Sequence, residues 1–433
     1  REAFQEVDYR QMFAPLAKWV AEIDHTERIP EYVARAFHVA QSGRPGPVVL
    51  ALPEDMLSAE AAVPDLPPTA PALQAVDPAA VDEALSRLAA AERPLIVVGG
   101  PQWSQQAADD LARLGEAWRV PVAVTFRRQD RIDNDCPAYA GDLGVGGSPA
   151  LARRLNEADL VLALGTRLAD VATGSYECLR PAAPPDIVHV HPSPELPGTV
   201  FRAALTISAR APDFVAALAA APPRPRSDDL MIDARAEYEE WQQPRRTPGA
   251  LRMEHVVATL RDRLPPEAIL TNGAGNYAAW LHRYYRWRRF GTQLAPTSGS
   301  MGYGLPAAIA ASVERPGIPV VCLAGDGCFQ MTGNELATAV QAGATPAVLV
   351  CDNGRYGTIR MHQEREYPGR VSGTDLVNPD FVALARAHGA NAEAVERDED
   401  FGMALDRALR SGQLSLLHLR LDPRALSTSR DLE

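Results

Sequence analysis

Short apolar runs recur along this chain between segments of helical spacing, and no other feature limits its fold so strongly. Residues 95–98, 120–124, 160–164 and 187–190 form one set of runs, and 268–270, 318–324, 347–351 and 415–419 form a second. Amphipathic segments such as 81–90, 106–118 and 335–341 lie between them. Buried strands alternating with helices build parallel sheets from βαβ units. The segment before them fits as well, with a helical stretch over 29–41, a Gly43-Arg44-Pro45-Gly46-Pro47 turn and a strand over 48–52. The expected class is α/β, with three-layer αβα domains built on parallel sheets.

Proline-rich joints divide the chain. Pro64, Pro67, Pro68 and Pro71 mark a linker over 61–76, and Pro222, Pro223 and Pro225 open a second joint that runs into a charged helical stretch over 228–240. The expected domains are therefore 1–60, 77–221 and 251–433. No solenoid-length repeat and no low-complexity tract occurs.

Composition narrows the function. A formal charge of −12 argues against nucleic-acid binding, which needs a basic surface. The basic and aromatic stretch His282-Arg283-Tyr284-Tyr285-Arg286-Trp287-Arg288-Arg289-Phe290 is the local exception, and in so acidic a chain it reads as a solvated or subunit-facing segment. Cys136, Cys178, Cys322, Cys328 and Cys351 form no CxxC pair, which suits a reducing cytoplasm and gives no zinc site. No apolar run approaches the roughly 18 residues of a membrane span.

Two of the strand ends carry chemistry. Gly325-Asp326-Gly327 follows the 318–324 run, and Asp352-Asn353-Gly354-Arg355-Tyr356-Gly357 follows the 347–351 run. The C-terminal rim of an open α/β sheet is where ligands collect. An aspartate between glycines presents its carboxylate there, and the glycines let an anion approach the backbone. A carboxylate alone repels phosphate, whereas a carboxylate holding Mg²⁺ recruits it. A helix expected over 332–340 would add its N-terminal amides. Alone, Gly-Asp-Gly is more often a turn than a site. Joined to Asn353 beyond a second strand, it points to a metal carrying a diphosphate.

These residues resemble the cofactor signature of the thiamine diphosphate-dependent enzymes, the group of acetohydroxyacid synthase (acetolactate synthase), benzoylformate decarboxylase and pyruvate oxidase. The likeness is greatest to acetolactate synthase large subunits. The resemblance implies that Asp326, Asn353 and the carbonyl of Arg355 bind Mg²⁺, and that Gly327 and Cys328 amides meet the diphosphate, although the family often has serine at the latter place. It implies cofactor contacts at Gly325, Tyr356 and Gly357 also. Ser298-Gly299-Ser300-Met301-Gly302-Tyr303-Gly304 resembles the loop whose bulky apolar residue, here Met301, wedges under the thiamine, with Ser300 beside it. Asn272-Gly273-Ala274-Gly275-Asn276 resembles the loop that touches diphosphate and substrate, so Asn272, Gly273, Gly275 and Asn276 join the cofactor set. Ala3-Phe4-Gln5-Glu6 resembles a segment bordering the active site across a subunit interface, which makes Gln5 a catalytic candidate. His362 is a second candidate, as an acid or base; an exposed loop histidine is the plainer alternative.

The resemblance implies a lyase or carboligase acting on a 2-oxo acid, as a homodimer or homotetramer, with a partial pyrimidine-binding domain, a central Rossmann-like domain and a diphosphate-binding domain. A simple decarboxylase of benzoylformate decarboxylase type and an inactive cofactor-binding homologue are the alternatives. Residues 1–60 match only the end of the pyrimidine-binding domain. The expectation is an N-terminally truncated chain, inactive as it stands, with the activating glutamate upstream of Arg1. FAD is doubtful. Gly165-Thr166-Arg167-Leu168-Ala169-Asp170-Val171 keeps one of the flavin-associated arginines, and 141–147 lacks the histidine found near the flavin. A nicotinamide dehydrogenase is disfavoured because Gly99-Gly100 lacks GxGxxG spacing.

Overall fold

The computed structural model describes residues 3–66, 69–70, 72, 74–179, 184–224 and 226–429. Pro67, Pro68, Pro71 and Pro225 of the joints lie outside the described residues, as do 1–2 and 430–433, the outer ends of the first and last expected domains.

Fourteen strands are described: β1 (Trp19–Glu22), β2 (Val48–Ala51), β3 (Pro94–Val98), β4 (Val122–Thr125), β5 (Tyr139–Leu143), β6 (Leu160–Leu164), β7 (Asp186–His191), β8 (Leu205–Ser208), β9 (Ile269–Asn272), β10 (Gln293–Leu294), β11 (Val320–Gly325), β12 (Ala347–Asp352), β13 (Asn391–Val395) and β14 (Ser415–Arg420). They make three sheets, of orders β1-β2, β5-β4-β3-β6-β7-β8 and β10-β9-β11-β12-β14-β13. Every pairing is parallel. The chain is thus an α/β protein with multiple parallel sheets.

Burial explains the runs read from the sequence. Every residue of β3, β6 and β11 is buried, because helices cover both faces of a parallel sheet. Each large sheet accordingly has two apolar clusters. One face of the central sheet packs around Leu111, Trp118 and Phe214, the other around Leu155 and Phe201. In the C-terminal sheet the two faces centre on Trp287 with Phe401, and on Phe329 with Phe381. The covering helices have local start signals. Asp77 caps Pro78–Ala90 by accepting from the Ala79 amide, and Ser104 caps Gln105–Trp118 through the Ala107 amide. The N-terminal part differs: Ile29–Gln41 forms as expected but buries no residue, and Phe37 is exposed. No helix among the described residues is long and apolar enough to cross a membrane.

Strand order sets the position of the site. In the C-terminal sheet the chain leaves β9 toward β10 on one side and returns to β11 on the other. The order therefore reverses between β9 and β11, and such a switch point opens a crevice at the carboxyl ends. Register steps the ends by one or two residues, since Asn272, the last of β9, pairs with Leu323, and Gly325, the last of β11, pairs with Cys351.

One element departs from expectation. The helix expected over 332–340 forms over Glu335–Gln341, and a single turn that was not expected, Asp326–Phe329, precedes it. The first turn follows β11 directly because Phe329 must enter the core, where its ring meets Phe381 edge-on at 5.6 Å. Gly333 then packs against the same Phe329 ring. At the centre of this sheet Leu349 is fully buried. Leu349→Ala is expected to cost about 2–5 kcal/mol, read as a lower urea midpoint with an unchanged slope.

Candidate active site

Loops after β9, β11 and β12 meet at the switch point around an open cleft, the position at which such sheets take their ligands. Gly275 and Asn276 come from the first loop, Gly325, Asp326, Gly327 and Cys328 from the second, and Asn353, Arg355, Tyr356 and Gly357 from the third. Met301 enters from the loop before Gly304–Glu314 and packs half-buried against the core. Leu421 and Leu426, beyond β14, close another side.

Asp326 is buried and heavily hydrogen-bonded. Its Oδ1 accepts from the Gly327 amide at 2.8 Å, and its Oδ2 accepts from the Gly354 amide at 3.0 Å and from Asn378 Nδ2 at 2.8 Å. The same two donors serve Asp352 Oδ1, at 2.9 and 2.7 Å. Two carboxylates therefore share one main-chain amide and one side-chain amide. Burial pushes the Asp326 carboxyl up to about 6, against the hydrogen bonds from Asn378 and Gly327. Burial opposes the charge of Asp352 too, but His418, whose Nε2 lies 2.8 Å from Oδ2, together with Asp326 and the Gly354 amide, holds that carboxyl low.

The diphosphate loops are tied from beneath. The Tyr277 hydroxyl accepts from the Gly273 amide at 3.0 Å and donates to Cys328 Sγ at 3.3 Å. That sulfur accepts from the Gly302 amide at 3.2 Å. A side chain at Gly273 would lie 2.3 Å from the sulfur. The glycine is thus a packing requirement, and the Cys328 side chain faces the protein while its backbone borders the cleft.

The other residues singled out in the sequence are distributed as follows. Asn272 is fully buried at the end of β9, its Nδ2 on the Gly273 carbonyl and its Oδ1 3.3 Å from His282 Nε2. Asn272, Gly273 and Ser300 are not part of the cleft wall. Asn276 lines the cleft with its amide committed, since Nδ2 donates to the Leu426 carbonyl at 2.7 Å and Oδ1 accepts from Thr358 Oγ1 at 2.9 Å. Ser300 is exposed and donates to the Met301 carbonyl. Gln5 is exposed, with φ of 64°. His362 is exposed on Gly357–Glu366, 3.0 Å from Arg365 through Nδ1, and is absent from the cleft wall. Reasoning from sequence missed Asn378, Tyr277 and His418. Only His418 had left a signal, as the one ionisable side chain in the run 415–419.

The donor set fits a hard cation. Among the described residues no cluster of three or more His, Cys, Asp and Glu side chains is arranged to hold a metal. Asp326, Asn353 and Arg355 all border the cleft and carry a carboxylate, an amide oxygen and a main-chain carbonyl, with Asn353 Oδ1 accepting from the Arg355 amide at 3.3 Å. Mg²⁺ accepts so sparse an oxygen set when phosphate and water complete its shell. Asn378→Ala removes the side-chain member of the two donors that the carboxylates share. It is expected to weaken joint binding of Mg²⁺ and thiamine diphosphate by roughly 1–2 kcal/mol, measured by calorimetry.

Comparison with known proteins agrees with this geometry. Residues 273–419 match a family model described as the C-terminal TPP binding domain of thiamine pyrophosphate enzymes, and residues 81–218 match the model of their central domain. The chain is 32% identical over 427 residues to the acetolactate synthase isozyme 2 large subunit of Escherichia coli K12, covering 97% of this chain and 76% of that one. It is 30% identical over 444 residues to a probable acetolactate synthase large subunit of Methanocaldococcus jannaschii, covering 98% and 74%. The fold is shared with the thiamine diphosphate-dependent 4-hydroxybenzoylformate decarboxylase of Rhodococcus jostii RHA1, with a TM-score of 0.81 at 24% identity over 96% of this chain and 78% of that one. With its parallel sheets, its switch-point cleft and these relatives, the chain belongs to the thiamine diphosphate-dependent enzyme family, on its acetolactate synthase-like branch.

Proposed function

We propose that this protein is a thiamine diphosphate- and Mg²⁺-dependent lyase or carboligase that acts on a 2-oxo acid in the manner of an acetolactate synthase. The observation that carries the reading is the convergence of Asp326, Asn353 and Arg355 beside the Gly327–Cys328 turn in one cleft. In this reading Asp326, Asn353 and the Arg355 carbonyl hold Mg²⁺, the Gly327 and Cys328 amides receive the diphosphate, and Met301 is the apolar body against which the thiamine rests. When bound, the cofactor supplies the electron sink that lets a 2-oxo acid lose its carboxyl group as CO₂. The chain's own part is to anchor, orient and dry the site. Trp280 and Leu426, both buried, give the cleft an apolar wall, and water excluded there no longer competes with the polar contacts.

A homodimer or homotetramer is part of the proposal, with the cofactor between subunits. A cytoplasmic location suits five cysteines that are all free. FAD is left out, because the segments that carry it in the resemblance are incomplete here.

A second reading is a simple decarboxylase of benzoylformate decarboxylase type. It is supported by the fold shared with the thiamine diphosphate-dependent 4-hydroxybenzoylformate decarboxylase of Rhodococcus jostii RHA1. Product analysis separates the two: a carboligase joins the decarboxylated remainder to a second carbonyl compound, and a decarboxylase releases an aldehyde. Full-length protein that binds the cofactor yet releases no CO₂ from a broad 2-oxo acid panel would support an inactive homologue instead.

Calorimetry of Mg²⁺ and thiamine diphosphate is the direct test. Wild-type protein is expected to bind the cofactor only with Mg²⁺ present. Asp326→Ala is expected to abolish that binding while leaving the far-UV spectrum unchanged. Metal-independent binding in the wild type, or retained affinity in the variant, contradicts the assignment.

A further inference from the structure

One charged side chain of the cleft has no part in the reading so far. Among the described residues only Asp326 and Arg355 bring charge to the cleft wall. The main-chain carbonyl of Arg355 is a metal ligand in that reading, and its guanidinium is unassigned. Its Nε is buried and has no hydrogen-bond partner, and among the described residues no carboxylate pairs with it.

Carboxylates do stand nearby. Arg355 and Asp375 oppose one another in an antiparallel bridge. On either side of it the Tyr356 amide donates to the Thr374 carbonyl and the Leu376 amide to the Gly354 carbonyl, both at 2.8 Å. Side chains of opposite charge at directly opposed positions are close enough to interact. Asp375 instead lies 3.6 Å from Arg360, with its side chain 77% exposed. Asp422, which follows Leu421 of the cleft wall, is engaged by Arg424 through Nε at 3.0 Å and Nη2 at 2.8 Å. Arg355 thus borders the cleft half-buried, with its charge uncompensated by the protein.

Partial desolvation of a cation without a counter-charge is unfavourable, and in a binding cleft the missing charge can arrive with the ligand. A diphosphate carries more negative charge than one divalent cation neutralises, and Asp326 adds to the excess. The planar fork of arginine meets phosphate oxygens in two parallel hydrogen bonds.

We propose that the Arg355 side chain is a diphosphate ligand, whose guanidinium takes phosphate oxygens that the metal leaves free. The inference rests on the thiamine diphosphate reading above. It gives the loop after β12 a cation for the anion, beside the two oxygens assigned there to the metal. The two roles of Arg355 are separable, because a substitution removes the guanidinium and keeps the carbonyl, which the bonds at Gly354 and Tyr356 hold in place.

The test is calorimetric titration of the full chain and its R355K, R355Q and R355M variants. Thiamine diphosphate with Mg²⁺ is one ligand, and inorganic pyrophosphate with Mg²⁺ is the other, which isolates the anion. R355M and R355Q are expected to bind thiamine diphosphate about tenfold more weakly, equivalent to about 1.4 kcal/mol, with a parallel loss for pyrophosphate. Binding should still require Mg²⁺ in both, and the ligand-free melting temperature should stay level. R355K, which keeps the charge and loses the fork, should fall between wild type and the neutral variants. If R355M does not fold, R355Q against R355K decides. Wild-type affinity for pyrophosphate in the neutral variants, or a lysine variant as weak as they are, overturns the inference and leaves the cofactor reading intact. So does unchanged cofactor affinity with a raised KM for a 2-oxo acid, which would assign the guanidinium to the substrate carboxylate. A wild-type chain that binds neither ligand overturns both readings.

Discussion

Three adjacent strands that run the same way and end at one edge of the sheet are the constraint on which the site depends. Parallel β9, β11 and β12 deliver their following loops to one rim, and the reversal of order between β9 and β11 opens that rim into a cleft. Polar side chains just past the strand ends then meet without long-range folding of the loops. Beneath the rim one hydroxyl and one thiol do the fastening. Tyr277 and Cys328 bond to each other and to the amides of Gly273 and Gly302, so three loops from distant parts of the sequence share a single anchor.

The electrostatics of the rim follow from its burial. Asp326 and Asp352 compete for the same two donors, and their carboxyls are displaced in opposite directions: burial and the neighbouring Asp352 raise the one, while His418, Asp326 and the Gly354 amide lower the other. His418 acts from the adjacent strand, β14, and secures one carboxylate in the charged state. The other is left as the group whose charge depends most on what lies in the cleft. The apolar wall and the polar rim thus belong to one arrangement, in which desolvation strengthens every charge that remains.

The interior of the fold was legible in the sequence and the margins were not. The central strands β3, β6, β11 and β12 announced themselves as unbroken apolar runs because helices cover both faces. The strands that were not expected in the two large sheets, β5, β8, β10 and β13, are the outermost ones. In β8 and β13 the residues are mostly half-buried or exposed, and β10 is two residues long, so little hydrophobic pattern was there to read. The same contrast holds in the cleft. Asp326 and Asn353 could be found because each follows a strong strand by a residue or so. Asn378 could not, because it reaches the carboxylates from an irregular segment before Phe381–Ala387, and no periodicity predicts where such a segment turns. Nor does spacing reveal that Asn276 is already engaged with Thr358 and Leu426.

That last contact has a consequence for the biogenesis of the protein. Leu421, Ala425 and Leu426 form part of the cleft wall, and they follow the final strand. Translation delivers them after both large sheets have emerged. A nascent chain that has already paired β9, β11 and β12 therefore still presents an open trough, with the Asn276 amide lacking its acceptor. The pocket is finished only when this segment folds back, so its completion follows the pairing of the strands whose loops bear the chemistry.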